Sequence, residues 1–254
     1  MRRHGFTLVE TLVVVGLVAL LLGLLLPALG RVRAGARTTR CLSQLRQLSL
    51  AAQQYASVFS EWPAAVRYER AEGGPLEQVA WDWHTTFDGT LIGPGPLWAF
   101  TGDPDAVMQC PDYLGGTNFT ADPFTGYDYN TSYIGDEERW APDGAGEVRR
   151  SVRPHACRRS SCAMFGDGGW AGGTHKFMRA PMGPEGDIAI QTTYSGGQAF
   201  RHLGSTNVAH VDGHVSVVGQ AARGTRATDA LLEGFLGYPG NGFLSDDDRA
   251  YDPR

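Results

Sequence analysis

The segment FTLVETLVVVGLVALLLGLLLPAL, residues 6–29, decides the fold, because Glu10 is its one charged residue in a long apolar run. Such a run is about long enough for a single helix to cross a bilayer. It differs from a cleaved secretory signal, since the basic region before it is very short, the apolar core is too long and no Ala-x-Ala-like site follows. An ionised Glu10 is costly in hydrocarbon and needs a partner. Pro27 removes one helical hydrogen bond and predicts a kink or local melting.

The residues before and inside this run carry a specific motif. Gly5-Phe6-Thr7-Leu8-Val9-Glu10 resembles the cleavage and methylation motif of type IV prepilins and type II secretion pseudopilins. The resemblance implies that a prepilin peptidase and N-methyltransferase cuts between Gly5 and Phe6 and methylates Phe6. It also implies that Glu10 neutralises the terminal amine of a neighbouring subunit, and pairing the two charges lowers the cost of both in hydrocarbon. The alternative is a plain membrane anchor with a fortuitous glutamate.

Arginine distribution conflicts with the orientation that this motif implies. Arg2 and Arg3 precede the apolar run, whereas four arginines follow it: Arg31, Arg33, Arg37 and Arg40. The positive-inside rule alone places the carboxyl side in the cytoplasm. The prepilin motif requires a cytoplasmic leader, so we expect a single-pass inner-membrane protein with an extracytoplasmic carboxyl domain, and later a filament in the periplasm or at the cell surface.

The helical pattern continues beyond the membrane segment and then stops. Apolar residues recur at steps of four and three along one stripe: Cys41, Leu45, Leu48, Ala52, Tyr55, Phe59 and Trp62. This spacing predicts an amphipathic arm whose stripe packs on a globular head, and Pro63 ends it. The whole helix is roughly 80 Å long at 1.5 Å per residue. Frequent Gly and Pro turns after residue 63 indicate a β-rich head.

The predicted organisation is α+β and pilin-like, with the long helix packed on a loop-rich antiparallel sheet. Its parts are a leader (1–5), a membrane or filament-core helix (6–29), an arm (30–62), a head (63–245) and an acidic, mobile tail (246–254). A short helix is expected at 227–236.

The best strand signal lies near the carboxyl terminus, at residues 207–218. Two apolar-alternating runs flank Asp212-Gly213, which predicts a hairpin with a two-residue loop. In that register four side chains share one buried face: Val208, His210, Val215 and Val217.

This hairpin carries a second resemblance. His202, nine residues and then Asp212-Gly213 resemble the H-X9-DG motif of a prepilin-like family abundant in planctomycetes. Three further segments are similar to that family: Arg40-Cys41-Leu42, Cys110-Pro111-Asp112 and Phe165-Gly166-Asp167-Gly168. His210 departs from the pattern, because the family usually has an apolar or aromatic residue there.

The four cysteines show no CxxC pair. In an exported protein, Cys41 on the stripe and Cys110 in the Cys-Pro segment are candidates for a disulfide that closes a long loop. Cys157 and Cys162 are close enough in sequence to form a second one. Free buried thiols are the alternative.

Metal binding and catalysis have weaker signals. His202, His210, Asp212 and His214 could bind zinc, but His210 and His214 lie on opposite faces of the predicted hairpin. We interpret Asp212 as a turn residue and His202 as bonding a turn or loop backbone, and so expect no metal. Calcium at Asp103 and Asp105, or at Asp246–Asp248, is an alternative without EF-hand spacing. A metal-dependent hydrolase is the corresponding enzyme hypothesis, and no nucleophile elbow or phosphate loop supports catalysis.

The function predicted from sequence is therefore structural. A net charge of -5 gives no basic surface for nucleic acid. We expect a non-enzymatic subunit of a type IV pilus or type II secretion pseudopilus, whose partners are the peptidase, the inner membrane and other pilin or pseudopilin subunits. The alternative is a membrane-anchored glycan- or ligand-binding module, suggested by ten aromatic residues in the head: Trp81, Trp83, Phe87, Trp98, Phe100, Tyr113, Tyr127, Tyr129, Tyr133 and Trp140.

Overall fold

One long helix followed by two β-sheets makes up the chain, which confirms the predicted α+β class. The structure is a computed structural model, and it describes residues 7–70, 73–103, 108–113, 125–138, 148–149, 152–171, 173–184, 196–223, 238 and 240–254. The expected helix at 227–236 and Trp140 lie outside these residues.

The helix α1 spans Leu8–Phe59 without a break. Thr7 and Glu10 form a capping box: the Thr7 hydroxyl accepts from the backbone N–H of Glu10, and the Glu10 carboxylate accepts from the N–H of Thr7. The chain remains helical through Pro27, so the helix does not melt there. The helix ends where Ser60 adopts a left-handed conformation with φ 58°.

Exposure divides α1 into two halves. Residues 7–33 are exposed on every face, and Ala34 is the first buried residue. From there the predicted stripe is confirmed for its buried members, Cys41, Leu45, Leu48, Ala52 and Tyr55. Phe59, at the end of the helix, is 53% exposed although its ring packs against Tyr55.

The strands of the head are short and are numbered here in chain order. They are β1 Val66–Arg70, β2 Leu76–Ala80, β3 Trp83–Thr86, β4 Leu91–Pro94, β5 Tyr127–Asn130, β6 Glu137–Glu138, β7 Val148–Arg149, β8 Ala163–Gly169, β9 Phe177–Met178, β10 Gly197–Ala199, β11 Thr206–His210, β12 Val215–Val218 and β13 Asn241–Gly242.

These strands form two sheets. The first has the order β4-β3-β2-β1-β6-β7 and is antiparallel except for the β1–β6 pair. The second is built around β8, which pairs with β5 on one edge and with β11 and β10 on the other. Every residue of β8 is buried. The second sheet therefore places β8 at its centre, with β11 lying against α1.

The main core forms where the stripe of α1 meets aromatic side chains of the head. Trp81, Trp98, Tyr129 and Phe165 are fully buried, and the Tyr129 and Phe165 rings stack with centroids 4.7 Å apart. Burying side chains of this size supplies much of the hydrophobic stabilisation of a domain. Five of the ten aromatic residues that suggested a glycan-binding face are thus buried, whereas Phe87 is 52% exposed. The five are Trp81, Trp98, Tyr127, Tyr129 and Tyr133.

The predicted hairpin at 207–218 exists, but its predicted register is wrong by one residue. Ala209 pairs with Val215, and His210 donates its N–H to the carbonyl of His214, so the loop has three residues, Val211 to Gly213. Gly213 takes φ 89° in this loop. A shift of one residue moves side chains to the opposite face of a strand, so Val208 does not share a face with Val215.

The acidic carboxyl-terminal segment packs on the head, contrary to the expected mobile tail. Tyr251 is fully buried, and its carbonyl accepts a hydrogen bond of 2.8 Å from the side chain of Asn130. The carbonyl of Pro253 accepts from the N–H of Arg158 at 2.7 Å. Asp248 accepts a hydrogen bond from the Tyr133 hydroxyl.

Truncation of the stripe tests the contact between arm and head. Leu48 is fully buried, so Leu48→Ala should lower the free energy of unfolding by about 2–5 kcal/mol. Val58, on the same helix, is 64% exposed, and Val58→Ala should change it by less than about 0.5 kcal/mol. Urea unfolding of the detergent-purified chain, followed by tryptophan fluorescence, measures both. Equal effects would contradict the packing described.

Candidate functional site

Four residues far apart in sequence meet beside β8 of the second sheet. Cys41, Cys110, Asp167 and His202 are all buried, and their ligand-type atoms lie within 4.8 Å of one another. We call them the thiol–imidazole cluster. Oδ1 of Asp167 lies 3.2 Å from Sγ of Cys41, 3.5 Å from Sγ of Cys110 and 3.2 Å from Nε2 of His202. Sγ of Cys110 is 3.4 Å from Nε2 of His202.

A proline-containing turn presents Cys110. The N–H of Tyr113 donates to the carbonyl of Cys110 at 3.0 Å, which closes a β-turn with Pro111 at its second position. Proline favours that position because its ring fixes φ. The same turn carries Asp112, whose Oδ2 lies 2.7 Å from Nδ1 of His202. The Cys-Pro-Asp segment therefore brings a thiol and a carboxylate to the same imidazole ring.

Glycines flank Asp167 because β8 is covered on both faces. A Cβ on Gly168 would lie 2.3 Å from the carbonyl oxygen of His175, and one on Gly169 would lie 2.9 Å from the nitrogen of Ala199. Backbone atoms at such distances exclude a side chain. Between Gly166 and Gly168, Asp167 directs Oδ1 into the cluster, and its Oδ2 accepts the N–H of Asn207 at 2.8 Å.

A tight turn after β10 holds His202. The N–H and carbonyl groups of His202 and Ser205 bond each other at 2.9 and 3.0 Å across Leu203 and Gly204. Both central residues have positive φ, 53° for Leu203 and 83° for Gly204, as a type I′ turn requires. This conformation is costly for leucine, and the side chain of Leu203 is 71% exposed.

The arm supplies Cys41 and then follows β11 toward the hairpin loop. The Ser49 hydroxyl donates to the carbonyl of His210 at 2.7 Å, and the Gln53 amide donates to the carbonyl of Val211 at 2.9 Å. The His210 carbonyl also accepts the N–H of Gly213 at 2.9 Å within the loop, so the bonds from Ser49 and Gln53 attach the arm to two successive loop carbonyls. His202 therefore lies near the Cys41 end of the arm, and the Asp212-Gly213 turn lies near Gln53.

Hydrogen bonds and burial set the protonation of the cluster. Burial raises the pKa of the Cys41 thiol far above its usual value. Hydrogen bonds from Cys41 and His202 lower the pKa of Cys110 in spite of its burial. Burial disfavours the imidazolium of His202, but the hydrogen bonds and negative charges of Asp167 and Cys110 outweigh it and raise the pKa of His202 to about 10.

All four cysteines are free thiols in the structure, and the two disulfides expected from sequence stay predictions. Cys41 and Cys110 do meet, but in the thiol–imidazole cluster. Cys162 donates to the carbonyl of Tyr251 at 2.9 Å, whereas Cys157 contacts the carbonyl of Arg153 at 3.6 Å. Each of this second pair therefore has a backbone partner of its own.

The histidine group considered from sequence divides into two places. His210 and His214 do not lie on opposite faces: their rings stack with centroids 4.0 Å apart. Asp212 accepts the backbone N–H of His214 at 3.0 Å, as expected of a turn residue. His202 bonds side chains through its ring, contrary to the expected backbone contact. Among described residues, the thiol–imidazole cluster is the one metal-compatible group, and neither Asp103 nor Asp246–Asp248 joins it. Asp105 lies outside the described residues.

Every segment that forms this cluster carries a sequence motif, but no pattern in the sequence indicates a role for Asp167 or Asp112. Both residues stood in motif segments, Phe165-Gly166-Asp167-Gly168 and Cys110-Pro111-Asp112. The available signal was therefore the joint occurrence of those segments with His202, and their spacing gave no indication that they meet.

The amino-terminal residues form a second candidate site. Gly5 and Phe6 lie outside the described residues. Glu10 is exposed, and its Oε2 accepts from the N–H and the hydroxyl of Thr7 at 2.8 and 2.7 Å. Among the described residues α1 is the helix long and apolar enough to cross a membrane.

Comparison with known proteins identifies this amino-terminal region. The family model of the prokaryotic N-terminal methylation motif matches residues 1–26. No curated protein and no solved structure matches the chain. The motif supports a type IV pilin-like protein. It marks the chain as a prepilin-like subunit in general, implies processing by a prepilin peptidase, and suggests a structural role over an enzymatic one.

The strained turn beside His202 gives a test of the site's backbone. Leu203→Asn should raise the free energy of unfolding by about 0.5–1 kcal/mol, because asparagine tolerates the left-handed conformation and the leucine side chain is largely exposed. Leu203→Ala removes the same apolar surface but keeps the strain, and should give no such gain. Urea unfolding compares them, and a gain shared by both variants would contradict the turn.

Proposed function

We propose that the chain is a structural subunit of a type IV pilus or a type II secretion pseudopilus. A prepilin peptidase removes residues 1–5, Phe6 becomes the methylated amino terminus, and the amino half of α1 packs with neighbouring subunits in the filament core. The H-X9-DG resemblance supports the same role, since that family is itself prepilin-like.

The uncovered half of α1 carries this proposal. Residues 7–33 have leucine and valine side chains on every face, and the head covers none of them. This rod is about 40 Å long at 1.5 Å per residue, which suits a bilayer first and a bundle of identical helices later. Water is a poor solvent for so large an apolar surface.

Glu10 supports assembly through charge. In the single chain its carboxylate is held by Thr7, two residues after the proposed cleavage point. A neighbouring amine of Phe6 would replace these hydrogen bonds with an ion pair, which is far stronger in an apolar surrounding than in water. In the isolated subunit the Glu10 carboxylate therefore accepts hydrogen bonds from Thr7, and on assembly it would pair with the amine of a neighbouring subunit.

One of the arginines that conflict with the expected orientation contacts the head. Arg37 forms an ion pair with Asp112, so it is committed to the folded domain. The positive-inside rule counts arginines and not net charge, so this contact does not remove the conflict. The extracytoplasmic head is therefore proposed on the cytoplasmic leader that the prepilin motif requires.

The leader is tested by blocking its removal. Gly5→Val should abolish cleavage in cells that contain the peptidase, because a branched side chain replaces the glycine before the scissile bond. Gly16 lies inside α1, where an added Cβ would meet no atom within 4 Å beyond the helix's own backbone. Gly16→Val should therefore be processed normally. Intact mass spectrometry of membrane fractions measures the leader. Cleavage of the Gly5 variant at the wild-type rate would refute the processing site.

The charge of Glu10 is tested separately from its capping role. Glu10→Gln still accepts hydrogen bonds from Thr7 but cannot pair with an amine, so we expect filament yield to fall at least about tenfold. Glu10→Asp retains the charge and should lose less. Immunoblotting and electron microscopy of sheared surface material compare them, and wild-type filaments from Glu10→Gln would exclude the ion pair.

A further inference from the structure

We propose that the thiol–imidazole cluster is a structural site for one zinc-type divalent ion, which fastens the arm to the head. Its four side chains offer two thiols, one imidazole and one carboxylate. All four are buried. This inference goes beyond the filament role and does not depend on it.

The spacing of the four atoms fits a tetrahedron. Zinc lies about 2.3 Å from sulfur and about 2.0–2.1 Å from nitrogen or oxygen, so the edges between its ligands are about 3.3–3.8 Å. Four edges of the cluster measure 3.2, 3.5, 3.4 and 3.2 Å. The other two edges, from Cys41 to Cys110 and from Cys41 to His202, are no longer than 4.8 Å. Binding of the ion would require small rotations of the cysteine, histidine and aspartate side chains.

Without an ion, the cluster has more hydrogen-bond donors than its acceptor oxygen can accept. Three donor groups, from Cys41, Cys110 and His202, converge on the single oxygen Oδ1 of Asp167. A carboxylate oxygen has two lone pairs for such bonds. A cation at the centre instead binds all four atoms, because each of them has a lone pair to donate once both thiols and Nε2 of His202 have released their protons to solvent.

The surroundings orient the ligands as a metal site requires. Asp112 lies 2.7 Å from Nδ1 of His202, so Nε2 is the nitrogen that faces the cluster. The contact is a close charge pair and not an aligned hydrogen bond. A carboxylate in this position favours the tautomer that carries its proton on Nδ1 and leaves Nε2 to the metal. The N–H of Asn207 occupies Oδ2 of Asp167, which leaves Oδ1 alone as an inward ligand.

Ligand chemistry selects the class of metal. Calcium and magnesium take oxygen ligands, whereas thiolates with imidazole suit zinc. Four protein ligands complete a tetrahedral shell, and closed shells are typical of structural sites. The ligands come from α1, the turn at 110–113, β8 and the turn at 202–205, so one ion would cross-link four separate segments.

Metal titration of the full chain tests the site. The detergent-purified protein is stripped with a chelator and reductant, then titrated with Zn²⁺ or Co²⁺. We expect one zinc per chain by elemental analysis, a raised unfolding temperature, and a thiolate-to-cobalt charge-transfer band with tetrahedral d–d bands. The cobalt spectrum of the wild type reports the ligands without requiring a variant to fold.

Matched variants assign the ligands. Cys110→Ser and His202→Gln should lose the zinc-dependent rise in unfolding temperature and weaken zinc binding at least tenfold. Cys157→Ser and His214→Gln remove a thiol and an imidazole outside the cluster, and both should bind zinc as the wild type does.

Three results would overturn the proposal. They are the absence of stoichiometric zinc in the wild type, a cobalt spectrum without thiolate bands, and equal zinc binding by the Cys110 and Cys157 variants. A Cys41–Cys110 disulfide in chain isolated without reductant, shown by non-reducing mass spectrometry, would also exclude the ion, because a disulfide offers no thiolates.

Discussion

The contact between the carboxyl half of α1 and β11 is the interaction on which the molecule depends. The helix is continuous from Leu8 to Phe59, so the packing of its carboxyl half on the head positions its apolar amino half. That packing combines a buried stripe from Ala34 to Ala56 with hydrogen bonds from Ser49 and Gln53. Burial supplies the affinity of arm for head, and the hydrogen bonds to specific carbonyls fix their register.

Two functional regions follow from this one helix. Its amino half is a surface without a partner in the single chain, and it is apolar except for Glu10 near its start and Arg31 and Arg33 at its end. One stripe of its carboxyl half packs on the head, and this half contributes Cys41 to a polar cluster inside the head. The segments that resemble the H-X9-DG family all reach this carboxyl half: His202 near Cys41, and the Asp212-Gly213 loop near Gln53. Residues scattered over the sequence are thus explained by a single interface.

The sequence predicted the elements whose signals are local. The length of α1, its buried stripe and the hairpin were readable because helical and alternating patterns report burial directly. The hairpin register was not, because Asp212-Gly213 fits loops of two or three residues equally well. Contacts from Ser49 and Gln53, more than 150 positions away, hold the three-residue loop. Pairing with distant residues decides such cases, and periodicity contains no information about it.

The same reason explains what was missed at the cluster. Cys41 and Asp167 are separated by 126 positions, and no spacing rule links a helix, a proline turn, a central strand and a type I′ turn. Asp167 sits among glycines, and these glycines reflect close neighbouring atoms on a fully buried strand. The sequence of this segment alone does not show which distant residues supply those neighbours.

The layout of the arm also has a mechanical consequence. Its polar contacts with the head are spread along the helix from Cys41 to Gln53, about 18 Å apart at 1.5 Å per residue. A pull along the axis of α1, as a filament under tension would apply, loads these contacts in shear and at the same time. Contacts loaded together share the force, whereas contacts peeled from one end break in sequence. The head is therefore attached in the geometry that best resists traction along the helix.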